Sequence, residues 1–476
     1  MKALCPALVA GAVLAAASPA SANGRFPSAE QLVVEPGNPS HLAVQVTYGF
    51  IQTRDAGATW HWTCEDAAGY GGVLDPPIAL LDQGVLIAGV FDGLVVSSSD
   101  GCTLGFVPGE LEGRFFVDVS ASKVDARRAI AVSSNGLGGN QFDTRLWGSD
   151  DTAATWTQRG ASLPSDFLAL TADAAPSNEQ RIYLSGFVIQ SSSNYVGSLA
   201  RTSDGGQTWE IVDIPGSSNA TGPYLAAIDP SDPDTIYLRL EGDLGELLVS
   251  HDAGDTWQSV FTATSQLLGF ALSPDGSEVR VGSETDGIHG ASTSDLTFSQ
   301  VSTLGVRCLT WSDDVLYACA KEADAGFTIG KSLDKGLTFL PIHHLQCLSG
   351  PDPSCVVGTS VADVCPPSWT VQKQTLQTDL CESGTSSSTG AGAGGGGTGD
   401  DGGEDEGCGC SVPPAKRRAV PGVALGVLGL VVALMRRRPR RAAGDHREGS
   451  TRSLRPPRLD FSFTPTISTR KPRPRP

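Results

Sequence analysis

Thr53-Arg54-Asp55-Ala56-Gly57-Ala58-Thr59-Trp60 decides the fold, because variants of this octet return along most of the chain. The order is Ser or Thr, any residue, Asp, any, Gly, any, Thr, then an aromatic. It recurs at 202–209 with Asp204, Gly206 and Trp209, at 250–257 with Asp252, Gly254 and Trp257, and at 332–339 with Asp334, Gly336 and Phe339. A fifth copy at 149–156 keeps Asp151 and Trp156 but carries Ala153 where Gly is expected. Two copies are worn: 97–104, which ends on Leu104, and 291–298, which ends on Phe298. The closing positions 60, 104, 156, 209, 257, 298 and 339 lie 44, 52, 53, 48, 41 and 41 residues apart. That spacing is the length of one four-stranded propeller blade, and the octets number seven. Upstream of an octet lie short alternating apolar runs, for example 224–228, 235–240 and 246–249. The turn cluster at 229–234 separates the first two, as an antiparallel meander requires. The expected fold is all-β: a seven-bladed β-propeller of four-stranded blades.

The octet has a local physical logic. Asp and Ser/Thr side chains can satisfy the backbone amides of a tight turn in place of water. Gly supplies a backbone geometry that a Cβ forbids, and the aromatic supplies burial that a small blade needs. The pattern resembles the Asp-box, or BNR, repeats of sialidases and their relatives. That resemblance implies that Asp55, Gly57, Trp60 and their counterparts are structural and lie away from the active face.

Enzymatic relatives of this repeat class fit poorly. Sialidases carry an Arg-Ile-Pro motif before the first box, whereas this chain reads Gly24-Arg25-Phe26-Pro27 there. None of the seven tyrosines stands out as a nucleophile. Glucan-cleaving relatives use two carboxylates across a cleft between two propellers, and this chain has length for one. Asp75, Glu110, Glu112, Asp118 and Asp166 are acids within the propeller, but the sequence does not pair them. His343 and His344 begin the exit from the last blade and lack a third metal ligand. No catalytic residue, metal or cofactor is assigned. The expected function is binding or scaffolding of a protein or glycan through the blade-connecting loops and the channel mouth, similar in repeat style to sortilin-type receptors and photosystem assembly factor propellers. Trp60-His61-Trp62, with Cys64 and Tyr70, is either exposed aromatic surface near the first blade or a set of rings packed into it. A glycoside hydrolase working through paired carboxylates is the competing reading.

Composition divides the chain further. Residues 1–22 read as an export signal: Lys2, an apolar stretch from Ala7 to Ala17, and the cleavage site Ala20-Ser21-Ala22. The net charge is −18, yet from Lys416 onward 16 basic residues face 3 acidic ones. Residues 1–415 thus keep 18 of the 34 basic and 49 of the 52 acidic residues, a net of −31. Such a body repels nucleic acid. Eight cysteines, Cys64, Cys102, Cys308, Cys319, Cys347, Cys355, Cys365 and Cys381, form an even set in an oxidising compartment and imply four disulfides. Proximity in sequence pairs Cys64 with Cys102 and Cys308 with Cys319. The other four then staple a small module at 346–381, after a propeller at 23–345.

Residues 382–407 are a Gly/Ser and acidic spacer. Cys408-Gly409-Cys410 follows, then an apolar stretch at 419–435 and an Arg cluster ending at Arg441. This arrangement at 408–441 resembles the MYXO-CTERM sorting signal of myxobacterial surface proteins. The resemblance implies processing near Cys408 or Cys410 and attachment at the cell surface. Such signals normally end at the arginines, whereas a Pro/Arg-rich tail at 442–476 continues here, which leaves a simple transmembrane anchor as the alternative. The propeller itself is read as a monomer.

Overall fold

The computed structural model describes residues 25–72 and 74–381. The export signal at 1–22, the spacer at 382–407, Cys408, Cys410, the apolar stretch at 419–435 and the tail at 442–476 lie outside the described residues. Seven antiparallel sheets of four strands follow one another at 29–63, 78–106, 116–158, 167–213, 222–262, 269–302 and 308–343. In every sheet the spatial order of the strands is their order in sequence. First strands touch first strands of the next blade, and the first strand of blade 7 (Cys308–Ser312) touches that of blade 1 (Ala29–Glu35), so the ring closes. Each blade draws all four strands from one continuous segment. Among the described residues, no strand is shared across the seam between blades 7 and 1.

The core lies between blades rather than at one centre. Trp147, Tyr183 and Tyr237, all at most 1% exposed, sit in separate apolar layers between blades 2 and 3, 4 and 5, and 5 and 6. The aromatic that closes each octet enters the layer shared with the preceding blade. Trp156, Trp209, Trp257, Phe298 and Phe339 each follow this rule. Burial of this kind, about 25 cal/mol per Å² of apolar surface, holds neighbouring sheets face to face.

The octets form the turns between third and fourth strands. In the first, Thr53 Oγ1 donates to Asp55 Oδ1 at 2.7 Å and accepts from Gly57 N at 2.9 Å. Asp55 Oδ1 accepts from Thr59 N at 2.8 Å and Asp55 Oδ2 from Thr59 Oγ1 at 2.6 Å. The same four bonds recur around Asp151, Asp204, Asp252 and Asp334. The worn copies depart from the pattern. In blade 2, Ser98 and Asp100 act instead, with Thr103 N donating to Ser98 Oγ and Cys102 N to Asp100 Oδ1. In blade 6, Ser294 takes the Asp position and pairs with Ser292.

The disulfides correct the pairing expected from proximity. Cys308–Cys319 forms as expected, joining paired positions of two adjacent strands. Cys64 instead joins Cys365, Cys102 joins Cys355, and Cys347 joins Cys381. The expectation failed because Cys64 and Cys102 lie on the outer edges of blades 1 and 2, where both meet the returning C-terminal segment. The 346–381 module is therefore no separately stapled unit. It is a clasp laid over the first two blades. Its helix, Ser360–Leu376, buries Val361, Cys365 and Leu376 along one face despite Pro366 and Pro367 inside it. Tertiary packing and a disulfide override the proline signal there. Four disulfides fit an oxidising, extracytoplasmic setting. No helix among the described residues is long and apolar enough to cross a membrane.

Candidate functional site

The first strands of the blades surround a channel, and they are cross-braced at its wall. The Gln31 amide holds both Ile78 N (2.9 Å) and Ile78 O (3.1 Å), linking blades 1 and 2. Ala172 N donates to Asp118 Oδ2 at 2.8 Å, linking blades 3 and 4. Leu225 N donates to Thr171 Oγ1 at 2.9 Å, and Arg239 Nη1 donates to Leu267 O at 2.7 Å. Across the seam, Thr310 Oγ1 donates to Leu32 O at 2.7 Å. Between these braces lies a cavity of about 690 Å³, reached by Gln31, Pro77, Val119, Thr171, Leu225, Phe270 and Thr310 from the seven blades. Its size suits a peptide side chain or a sugar unit.

Charge at the cavity falls into two groups. At the mouth every acid has a partner. Arg25 grips Asp75 with two hydrogen bonds, at 2.7 and 2.5 Å, and Gln45 adds a third at 3.1 Å. Arg307 binds Glu30 through Nη2 at 2.6 Å and also pairs with Glu284, which Lys321 meets at 2.5 Å. Arg239 Nη1 lies 3.1 Å from Glu241. Deeper in the wall, Asp118 and Asp173 have no ion-pair partner among the described residues. Asp118 accepts from Ala172 N and from its neighbour Val119 N. Asp173 accepts from Ser120 Oγ at 2.7 Å and from Ala174 N. Burial in the wall raises the Asp118 carboxyl to about 7, against the pull of these amides, and Asp173 adds to the rise. Burial also raises Asp173.

The sequence candidates distribute unevenly. None of Asp55, Asp151, Asp204, Asp252 and Asp334 lines the channel cavity. Hydrogen bonds from Thr202 and Thr208 hold Asp204 near 2, and those from Thr256 and Thr338 do the same for Asp252 and Asp334. These carboxylates are fixed as turn acceptors. Trp60 and Trp62 are 2% and 3% exposed, so of the two alternatives the packed one holds: the clasp lies over them, with the Trp369 ring 5.4 Å from Trp62. Of the five acids singled out, Asp75 and Asp118 reach the channel, while Glu110, Glu112 and Asp166 are exposed residues of interblade loops. His344 meets Glu322 at 2.8 Å. His343 is buried with neither ring nitrogen hydrogen-bonded. No group of three or more potential ligands stands ready for a metal ion among the described residues.

Sequence reasoning missed Glu30, Asp173, Arg239 and Arg307. The available signal was a charged residue inside or beside the inner strands of a blade, where an apolar one is the default.

The fold and channel define a class, the seven-bladed β-propeller, and comparison with known proteins goes no further. No family model and no curated protein matches the chain. Among solved structures, an ancestral GH74 enzyme is similar at 11% identity and a TM-score of 0.49, over 66% of this chain and 46% of that one. Hydrazine synthase of Kuenenia stuttgartiensis is similar at 14% identity and a TM-score of 0.46, over 64% and 95%. Sqt1 of Saccharomyces cerevisiae is similar at 11% identity and a TM-score of 0.45, over 66% and 84%. The chain spans less than half the length of the first of these. Such likeness concerns fold alone.

Proposed function

We propose that this chain is an exported, surface-attached propeller that binds a protein segment or a glycan at its channel mouth without catalysis. One observation carries the reading. The channel offers about 690 Å³ of mixed polar and apolar surface, yet its mouth acids are already committed to Arg25, Arg307, Lys321 and Arg239. A committed carboxylate shapes and charges a binding wall but is poorly placed to trade protons with a substrate. The octet turns, with Asp held by Ser/Thr and a positive-φ residue at the Gly position, fit Asp-box repeats. Export and attachment rest on the signal at 1–22 and the Cys408–Arg441 region. The test is a screen of the oxidised protein on glycan and peptide arrays, beside chromogenic glycosides. Saturable binding without turnover supports the reading, and turnover overturns it.

A glycoside hydrolase is the second reading, and Asp118 favours it specifically. A carboxyl raised to about 7 beside a second raised carboxyl, Asp173, is how a general acid is prepared. Under this reading Asp118→Asn abolishes hydrolysis of a glycoside that the native protein cleaves. Under the binding reading there is no hydrolysis to abolish.

A further inference from the structure

A ring whose blades share no strand needs another closure, and the 345–381 segment is built as one. After blade 7 the chain turns back onto the outer edge of blade 1. There Ser349 N donates to Trp60 O at 2.9 Å and Trp62 N donates to Gly350 O at 2.7 Å, so the segment pairs with the outer strand His61–Thr63. It then reaches blade 2, where Val361 N donates to Cys102 O at 3.0 Å and Leu104 N donates to Ser360 Oγ at 2.8 Å. Apolar side chains of blades 7, 1 and 2 and of the clasp form one continuous cluster, including Ile329, Phe50, Leu86 and Leu376. Two disulfides fix the contact. Cys64–Cys365 closes a loop of sequence separation 301, and Cys102–Cys355 closes one of 253 inside it.

We infer that this clasp is a mechanical lock, which carries tension between the chain ends past blades 2 to 7. The covalent route from the N-terminal side runs through blade 1 to Cys64, crosses to Cys365, and leaves through the end of the helix. Blades 2 to 7 hang off that route as a closed loop and feel no end-to-end pull. Cys102–Cys355 is a second barrier, loaded only when the first opens. A protein held at a surface while its ligand is pulled would keep its channel intact. That use rests on the attachment proposed above, whereas the lock itself does not.

The test is single-molecule pulling of the full chain from its two ends, with the force ramped until no further unfolding steps occur. At about 3.5 Å per residue, the oxidised protein releases about 55 residues, or ~19 nm of contour. Cys102→Ser with Cys355→Ser leaves that total unchanged. Cys64→Ser with Cys365→Ser raises it to ~30 nm, because the second barrier takes the load and the route leaves through Cys347–Cys381. All four substitutions raise it to ~110 nm. Should the fourfold variant fail to fold, native protein pulled with and without dithiothreitol decides, since reduction of each disulfide to two thiols must restore the long release. More than ~30 nm from the oxidised native protein overturns the inference, as does a reductant that leaves the release at ~19 nm. Loss of ligand binding in the arrays above would leave these lengths untouched.

Discussion

At the fifth octet position, φ lies between +96° and +98° in Gly57, Gly206, Gly254 and Gly336, beyond the basin that a Cβ tolerates. Ala153 occupies the same turn by rotating to +63°, inside that basin, and still donates to Ser149 Oγ at 3.1 Å. The two solutions are not interchangeable. A Cβ on Gly254 would stand 2.6 Å from Leu199 Cδ2, so Gly254→Ala is expected to lose about 1–3 kcal/mol in urea unfolding. Ala153→Gly should stay within about 1 kcal/mol of the native protein. His343 supplies a pH prediction at the same scale. Its ring packs 5.2 Å from Trp60, and burial, with the neighbouring His344, lowers it from 6.5 to about 3. Between those values the unfolded chain binds a proton that the folded chain refuses. Stability from this group is therefore complete above pH 6.5 and falls as pH drops toward 3. Asp118 has the opposite sign: raised to about 7, it contributes below pH 4 and loses that contribution as pH rises to 7. His343→Leu breaks no hydrogen bond, and at pH 5 it should gain roughly 2 kcal/mol relative to the native protein, at ~1.4 kcal/mol per pH unit. Equal pH dependence of the two proteins in denaturant melts would refute the assignment.

Among elements, the third-to-fourth-strand turns were the most legible, because their whole hydrogen-bond network is written in eight consecutive residues. The worn copies show how far such a pattern can drift. Blade 2 shifts its Ser-x-Asp pair one residue along, to Ser98 and Asp100, and blade 6 pairs Ser292 with Ser294 while the next residue, Asp295, accepts from Thr297 N at 2.9 Å. Both keep one left-handed residue, Gly101 and Leu296, where the full copies keep two. The C-terminal helix was not legible. Pro366 and Pro367 argue against any helix, and the residues that hold it, Cys64, Trp62 and Cys102, lie more than 250 positions away. Pairing Cys64 with Cys102 failed for the same reason: their true partners, Cys365 and Cys355, come near only once the ring has closed, whereas Cys308 and Cys319 sit on adjacent strands. Since Trp369 lies against Trp62, Trp369→Ala should loosen this element selectively. Hydrogen exchange at 348–350 and 360–376 is expected to quicken about tenfold, near 1.4 kcal/mol of local stability, while blades 4 and 5 keep their protection. Uniform loss of protection around the ring would instead make the clasp part of one global unit.

For the whole molecule, blade count followed from spacing, but the channel did not follow from anything local. Each blade sends only a few side chains to it, and they meet only because seven sheets close a circle. Glu30 and Arg307 are 277 residues apart in sequence and form the charged part of the seam. With Glu284 and Lys321 they tie blades 7, 1 and 6 at the mouth, and no periodicity marks them. This network sets a last expectation. Burial raises the Glu284 carboxyl, yet Lys321 and Arg307 together hold it below its ordinary 4.5. Arg307→Met keeps the apolar stem and removes the charge, which leaves Glu30 and half-buried Glu284 short of a cation. Because the site is partly open to water, the loss should be about 1–3 kcal/mol at pH 7, below that of a fully buried broken pair. The sign with pH is set by the same carboxylates. A depressed Glu284 stabilises the native protein above pH 4.5 and ceases to do so as pH falls through its folded value. In Arg307→Met that depression is reduced, so the deficit relative to the native protein should shrink as pH falls below 4.5. Denaturant melts of the two proteins at pH 7 and pH 4 measure both quantities. A deficit that stayed constant with pH would assign the role of Arg307 to packing of its stem, and the seam would then be held by Thr310, Trp60 and the clasp.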